Sequence, residues 1–331
     1  MIKDAIITLA QKQDLSYDTA RAVMDEIMSG EATSVQMSAY LTALALKGET
    51  IDEITGCAAG MRAHCVRLLH DMDVLEIVGT GGSSAKKQGT FNISTAASLI
   101  AAAAGIPVAK HGNRSASSKC GSADVLEALG VKIDIAPAKS AELLREIGIC
   151  FMFAQNYHIA MKYVAPVRRE LGIRTVFNIL GPLTNPAGAK MQLMGVYDEA
   201  LVEPLAAVLA KLGVSKALVV HGSEGIDEVS LTAPTVTSQG IITPEQFGFE
   251  RCREEDLLGG EPAENAAILR GIFELKERGA KRDAAVLNAG VAMHVTGRYE
   301  SMEQAVKAAE EAVDSGAALA KLESFIERSN T

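Results

Sequence analysis

The sequence predicts an α/β fold in two parts: a small helical N-terminal domain, then a large α/β domain with a mainly parallel central sheet. Three observations predict it. Over residues 1–70 apolar side chains recur at three- and four-residue spacing, with no strand pattern between them. From Asp73 short apolar runs alternate with amphipathic stretches, the order that builds a parallel sheet covered on both faces. Where the pattern changes, the short strand-like stretch 74–78 leads directly into Gly79-Thr-Gly-Gly82. Glycines there let the backbone turn sharply and bring its N–H groups close to a ligand.

In order, helices are predicted over 2–11, 16–28, 34–46 and 50–69, the last opened by the capping box Thr50-Ile-Asp-Glu53. Cys57 and Cys65 fall on that last helix. Met37, Tyr40, Leu41 and Leu44 form an apolar stripe that is either a subunit interface or the bundle's own core. Strands follow at 74–78, 107–109, 131–135, 150–153, 217–221 and 229–231. Helices alternate with them at 93–104, 122–129, 138–147, 158–164, 167–172 and 198–212. Residues 236–248 read as a hairpin or extended excursion around Gly240. Helices at 263–277, 280–296, 301–315 and 316–328 close the chain. Two prolines and a glycine make 174–186 a rigid connection.

The chain has 331 residues, 48% apolar and 22% charged, which suits two domains or one large one. Its net charge of -9 argues against non-specific nucleic-acid binding, which depends on Lys and Arg neutralising phosphates. Five cysteines without a C-x-x-C pair read as reduced thiols. No signal peptide precedes the first helix, and the most apolar run, 96–109, is too short to cross a bilayer. A cytoplasmic protein without membrane or nucleic-acid partners is expected.

Ligands of such sheets sit beyond the carboxyl ends of the strands, and the polar clusters lie there. After the glycine turn, Asn92-Ile-Ser-Thr95 opens an apolar helix whose N-terminus suits an anion. Lys110-His-Gly-Asn-Arg114, with Ser115, Ser117 and Ser118, offers cations and hydroxyls that need partners. The adjacent carboxylates Asp227 and Glu228 invite a hard cation such as Mg²⁺, with Ser94 able to add an oxygen. Both carboxylates are expected to be solvated. Pro166 is expected at the first position of a helix, which places Arg168 and Arg169 in its first turn, where the dipole disfavours them. One of the two is therefore expected to grip a carboxylate or phosphate.

Taken together, Gly79-Thr-Gly-Gly82, Phe91–Thr95, Lys110–Arg114, Arg168–Arg174, Asn178–Pro186 and Asp227-Glu228 resemble the anthranilate phosphoribosyltransferase family, over nearly the whole chain. The resemblance implies a nucleoside phosphorylase class II-like fold. It divides the chain into a helical domain, 1–70 with a return segment at about 167–186, and an α/β domain, 71–166 and 187–331. It implies a homodimer through the helical domain. The implied reaction moves phosphoribosyl from 5-phosphoribosyl 1-diphosphate to anthranilate in tryptophan biosynthesis. By motif, Gly79, Gly82, Ser83, Thr90, Asn92, Ile93, Ser94, Thr95, Lys110, His111, Gly112, Asn113, Arg114, Ser117, Ser118 and Ser122 hold the diphosphate and phosphoribosyl groups. Gly79, Asn113, His158 and Arg168 contact anthranilate, and His111 and Pro182 line its path. Ser94, Asp227 and Glu228 hold two Mg²⁺ per subunit.

The chain departs from the family at Ser83, where aspartate is usual. Its loop to Phe91 is longer and carries Lys86 and Lys87, which are expected to attract the diphosphate. Rival readings are a pyrimidine nucleoside phosphorylase-like enzyme, which should carry Ser-Gly-Arg-Gly in place of Lys110–Arg114, and a non-catalytic binding relative.

Overall fold

The computed structural model describes residues 1–82, 89–115 and 118–331. Ser83, Lys86, Lys87 and Ser117 lie outside the described residues. Four helices come first: α1 (Ile2–Ala10), α2 (Tyr17–Met28), α3 (Ser34–Lys47) and α4 (Ile51–Ala63). Thr50 and Glu53 form the expected capping box. The helix ends at Ala63, earlier than the sequence suggests, so Cys65 lies beyond it while Cys57 is buried within it. Met37, Tyr40, Leu41 and Leu44 are buried core residues, which leaves none of them free as an interface.

The α/β part runs β1 (Leu75–Gly79), α5 (Ile93–Ala103), β2 (Val108–Gly112), α6 (Ser122–Ala128), α7 (Pro137–Ile147), β3 (Ile149–Phe153), α8 (Ala154–Tyr157), α9 (Met161–Leu171) and α10 (Phe177–Leu183). It continues with β4 (Met191–Gly195), α11 (Val202–Lys211), β5 (Lys216–Gly222), β6 (Thr235–Thr237) and β7 (Gly240–Ile242). Helices α12 (Pro262–Phe273), α13 (Ala280–Val295), α14 (Met302–Asp314) and α15 (Ala317–Asn330) follow. Among the described residues one seven-stranded sheet forms, in the order β3-β2-β1-β4-β5-β6-β7. Strands β3, β2, β1, β4 and β5 are parallel, and the β6–β7 hairpin closes one edge antiparallel. The chain winds from β1 outward to β3, then returns to place β4 on the other side of β1. That reversal is a topological switch point, and it opens a crevice beyond the carboxyl ends of β1 and β4.

Several expectations need correction. Residues 131–135 form no strand, although Val131 and Ile133 are buried. Their backbone is satisfied elsewhere: Val131 donates to Leu126, and the Lys132 N–H donates to Ser329 Oγ of α15 at 3.0 Å. Residues 229–231 are not a strand either. The Asn288 amide brackets Val229, accepting its N–H and donating to its carbonyl, both at 2.8 Å. Strand β4 is an addition that the sequence pattern does not announce. Pro166 lies inside α9, so Arg168 and Arg169 occupy its last turn, where the dipole favours cations. An unfavourable dipole therefore cannot be what draws an anion to them. The 174–186 connection contains a helix, α10, with Pro182 inside it.

Two apolar cores result. One fills the space between the sheet, α5 and α12–α15. The other joins α1–α4 to Val164, Val167, Phe177, Leu180 and Leu183, and to Met194 and Val219 on one face of the sheet. Strand β4 is thus covered from both sides, and Gly195 at its end meets a third element. A Cβ on Gly195 would stand 1.7 Å from the Asp227 carbonyl oxygen. Gly195→Ala should therefore lower stability by about 1–3 kcal/mol, the usual cost of overpacking, and displace Asp227. The check is the melting temperature together with activity; an unchanged Tm and rate would contradict the close fit.

Candidate active site

The glycine turn is held from several directions. Gly81 and Gly82 adopt φ of 67° and 73°, which a side chain would resist. Thr80 N–H donates to the Gly195 carbonyl at 3.0 Å, and Thr80 Oγ1 accepts from Tyr197 N–H at 3.1 Å. Gly81 N–H donates to Asp227 Oδ2 at 2.7 Å. A Cβ on Gly79 would stand 2.2 Å from that same carboxylate oxygen. Asp227 is thus built against the switch point, and the turn and the acidic pair form one unit.

Lys110 extends from β2 into this unit and is 3% exposed. Its ammonium donates to the Ile77 carbonyl at 2.7 Å and to Ser94 Oγ at 3.3 Å. Burial pushes its pKa down to about 8, against the pull of Glu228 and Glu76. Burial raises Glu228 to about 8, and the Asp227 charge adds to the rise; Lys110 and the Ser94 backbone N–H oppose it. Asp227 is raised as well, again chiefly by burial. Both residues are half-buried rather than exposed, so the expectation that they are solvated holds only in part. Ser94 sits in the first turn of α5 and brings a hydroxyl to the Lys110–Glu228 group.

A second wall is neutral. The His111 and His158 rings lie 4.9 Å apart. Burial lowers His111 to about 3 and His158 to about 4, so both are uncharged at neutral pH. The backbone at Gly181 and Thr184 opposes these shifts, and each Nε2 is buried without a hydrogen-bond partner. Phe177, at the start of α10, lies under Arg168, whose guanidinium carbon is 5.4 Å from the ring centroid. Burial lowers the Arg168 pKa, and among the described residues no carboxylate pairs with it. Arg169 is exposed. Helix α10 thus gathers Arg168, His111 and His158.

Other predicted residues are placed as follows. Gly112 packs against Ser122: a Cβ there would stand 2.1 Å from Ser122 Oγ. Asn113 Oδ1 accepts from Arg114 N–H at 2.8 Å, and its carbonyl accepts from Ser122 Oγ. Arg114 pairs with Asp124 and Glu127, so its charge is already compensated. Ser115 and Ser118 bond to each other. Thr90 bridges to Leu258. Ile93 and Thr95 are buried at the start of α5, and Thr95 Oγ1 has no partner. Asn92 donates to the Cys120 carbonyl at 3.2 Å and accepts from Asn265 Nδ2 at 2.8 Å. Pro182 is buried, and its carbonyl accepts from the Gln192 amide.

The sequence reading misses Gly195, Tyr197 and Asn265, which hold the site without matching its motifs, and it quotes Arg174 within a motif without giving it a role. Asn265, buried just before the apolar run Ala266–Leu269 of α12, is the one visible signal.

Two family models match the chain. The helical bundle domain of a glycosyl transferase family matches residues 3–65, and its a/b domain matches residues 71–319. A curated anthranilate phosphoribosyltransferase of Lachnoclostridium phytofermentans is 60% identical over 338 residues, covering 100% of this chain and 99% of that protein. The chain belongs to the anthranilate phosphoribosyltransferase family. Among solved members, the anthranilate phosphoribosyltransferase of Thermus thermophilus superposes with a TM-score of 0.94 at 43% identity, covering 99% of this chain and 100% of that one. The anthranilate phosphoribosyltransferase of Saccharomyces cerevisiae, solved in complex with PRPP and Mg, gives 0.92 at 27% identity, covering 99% and 98%.

A hard cation suits the donor set of this anthranilate phosphoribosyltransferase family member. Ser94, Asp227 and Glu228 offer only oxygens, and at Glu228 the neighbouring Asp227 charge helps raise the pKa, a crowding that a cation would relieve. Among the described residues no group of three His, Cys, Asp or Glu could hold a metal by itself. Two carboxylates are what Mg²⁺ needs when substrate oxygens and water complete its octahedron. No helix among them is long and apolar enough to cross a membrane.

Proposed function

We propose that the chain transfers the phosphoribosyl group of 5-phosphoribosyl 1-diphosphate (PRPP) to anthranilate, releasing diphosphate, as a step of tryptophan biosynthesis. The observation that carries this reading is the division of the cleft. Oxygen donors and Lys110 meet at the switch point, while an uncompensated Arg168 and two neutral histidines stand along α10. The first group suits a diphosphate with its metal, and the second suits an aromatic carboxylate.

Ser94, Asp227 and Glu228 are the residues that would hold Mg²⁺, two ions per subunit on this reading. The metal would draw off negative charge as the diphosphate departs. Lys110 and the N–H groups of the glycine turn add fixed positive ends at the same place. The anthranilate amine attacks C1 of the ribose from the face opposite the diphosphate. The N–C1 bond forms, the C1–O bond breaks, the diphosphate leaves with the bonding electrons, and the amine gives up a proton. An aromatic amine is uncharged at neutral pH, so orientation by Arg168 and Asn113 supplies much of the effect. The remaining motif residues, from Thr90 to Ser122, shape the phosphoribosyl site around these groups.

The 167–186 segment counts with residues 1–70 as one helical domain, supported by the shared core of Val167, Phe177, Leu180 and Leu183 with α1–α4. A second copy docks on that domain in a cytoplasmic homodimer. Ile7, Val35 and Leu46, exposed on α1 and α3, support this reading.

Arg168→Ala tests the assignment of the two walls. A lost charge-assisted hydrogen bond is worth roughly 1.5–3 kcal/mol, or about ten- to a hundredfold. Steady-state kinetics should show the anthranilate KM rising by that factor while the PRPP KM stays close to wild type. An unchanged anthranilate KM would make Arg168 structural and turn attention to Arg169.

A further inference from the structure

We infer that Arg174 is a positioning residue that fixes the glycine turn for the diphosphate and ties it to the helical side of the cleft. The inference rests on the function proposed above. Arg174 lies in the connection between α9 and α10 and is exposed, yet its guanidinium is held on two sides. Its central carbon stands 4.0 Å from the centroid of the Tyr197 ring, and its Nη2 donates to the Gly82 carbonyl at 2.5 Å. Both partners belong to the switch point: Gly82 follows β1 and Tyr197 follows β4. Tyr197 is itself bonded to the turn through Thr80 Oγ1.

Two consecutive glycines in the left-handed region have many other conformations open to them. Thr80 is tied to β4, Gly81 to Asp227 and Gly82 to Arg174. Only the last of these ties comes from the helical side. It fixes the direction of the Gly82 peptide, and hence the direction in which that end of the turn presents its N–H groups. Buried Thr175, Val176 and Phe177 follow Arg174 directly and lead into α10, which gathers Arg168, His111 and His158. One short segment therefore reaches both walls. The task suits arginine: a planar guanidinium can stack on a ring and still donate in its own plane, whereas an ammonium presents a point charge.

The test compares the full-length wild type with Arg174→Ala, Arg174→Lys, Tyr197→Leu and the double variant Arg174→Ala/Tyr197→Leu, with Mg²⁺ present. Arg174→Ala should raise the PRPP KM about tenfold, equivalent to ~1.4 kcal/mol, and leave the anthranilate KM within about twofold. Arg174→Lys should not restore it. Tyr197→Leu should reproduce most of the defect, and the double variant should be no worse than Arg174→Ala, because the two side chains act as one unit. Hydrogen–deuterium exchange of the peptide containing Gly79–Gly82, without substrate, should be faster in Arg174→Ala.

Unchanged PRPP KM and unchanged exchange would overturn the inference. Full rescue by lysine with a silent Tyr197→Leu would also overturn it, leaving charge attraction alone. If the wild type fails to consume anthranilate, the proposed function fails instead, and the exchange measurement still decides whether Arg174 holds the turn.

Discussion

Asp227→Asn combined with Glu228→Gln should reduce turnover by roughly a thousandfold or more while leaving the protein folded. The two carboxylates are only partly solvated, and their environment sharpens the expectation. Burial raises both pKa values, and the Asp227 charge adds to the rise at Glu228, so the folded protein holds this pair at a cost. Isosteric amides remove the repulsion and keep the shape. The amide oxygen introduced at position 227 can still accept from Gly81 N–H, as Asp227 Oδ2 does at 2.7 Å. The melting temperature should stay within a few degrees of wild type, whereas Mg²⁺-dependent binding of PRPP, read by calorimetry, should be lost. Wild-type turnover at saturating Mg²⁺ would remove the metal assignment from these residues.

Lys110→Met should lower kcat by about a hundred- to a thousandfold, the usual loss when one fixed donor to a developing negative charge is removed. Lys110 is the buried cation closest to the acidic pair, and its ammonium already bridges the Ile77 carbonyl and Ser94 Oγ. Methionine keeps much of the length and apolar bulk but donates nothing. The Ile77 carbonyl then loses its side-chain donor, at a stability cost of about 1–3 kcal/mol. The anthranilate KM should change little, since Arg168 and the histidines belong to the other wall. A kcat within tenfold of wild type would mean that the leaving charge is met without Lys110.

The sequence discloses the parts of this site that carry chemistry and hides the parts that hold it. The glycine turn, Lys110, Ser94 and the acidic pair stand at predicted strand ends, and the parallel sheet brings them together. Strand β4 escapes because Gln192 interrupts its apolar pattern. That side chain is buried only because its amide finds the Pro182 carbonyl, a partner no local pattern reveals. Residues 131–135 mislead in the opposite way. Their alternation is that of a strand, but Ser329, nearly two hundred positions later, takes the Lys132 N–H. Pro166 misleads because a proline near a helix start is the common case. Arg168 remains a candidate although its dipole is favourable, since its burial without a carboxylate partner is an independent reason. The close seating of Asp227 is not legible, because it depends on Gly79 and Gly195 having no side chains.

The central claim is that this cleft joins PRPP to anthranilate with the help of a divalent cation. Anthranilate is fluorescent and loses that signal on conversion, so one continuous assay tests the claim. The purified chain with PRPP, anthranilate and Mg²⁺ should consume the fluorescence and release diphosphate in equal amounts. Excess chelator should stop both, and added Mg²⁺ should restore both. Persistent fluorescence under these conditions, with thymidine cleaved instead when free phosphate is supplied, would contradict the account and favour a nucleoside phosphorylase.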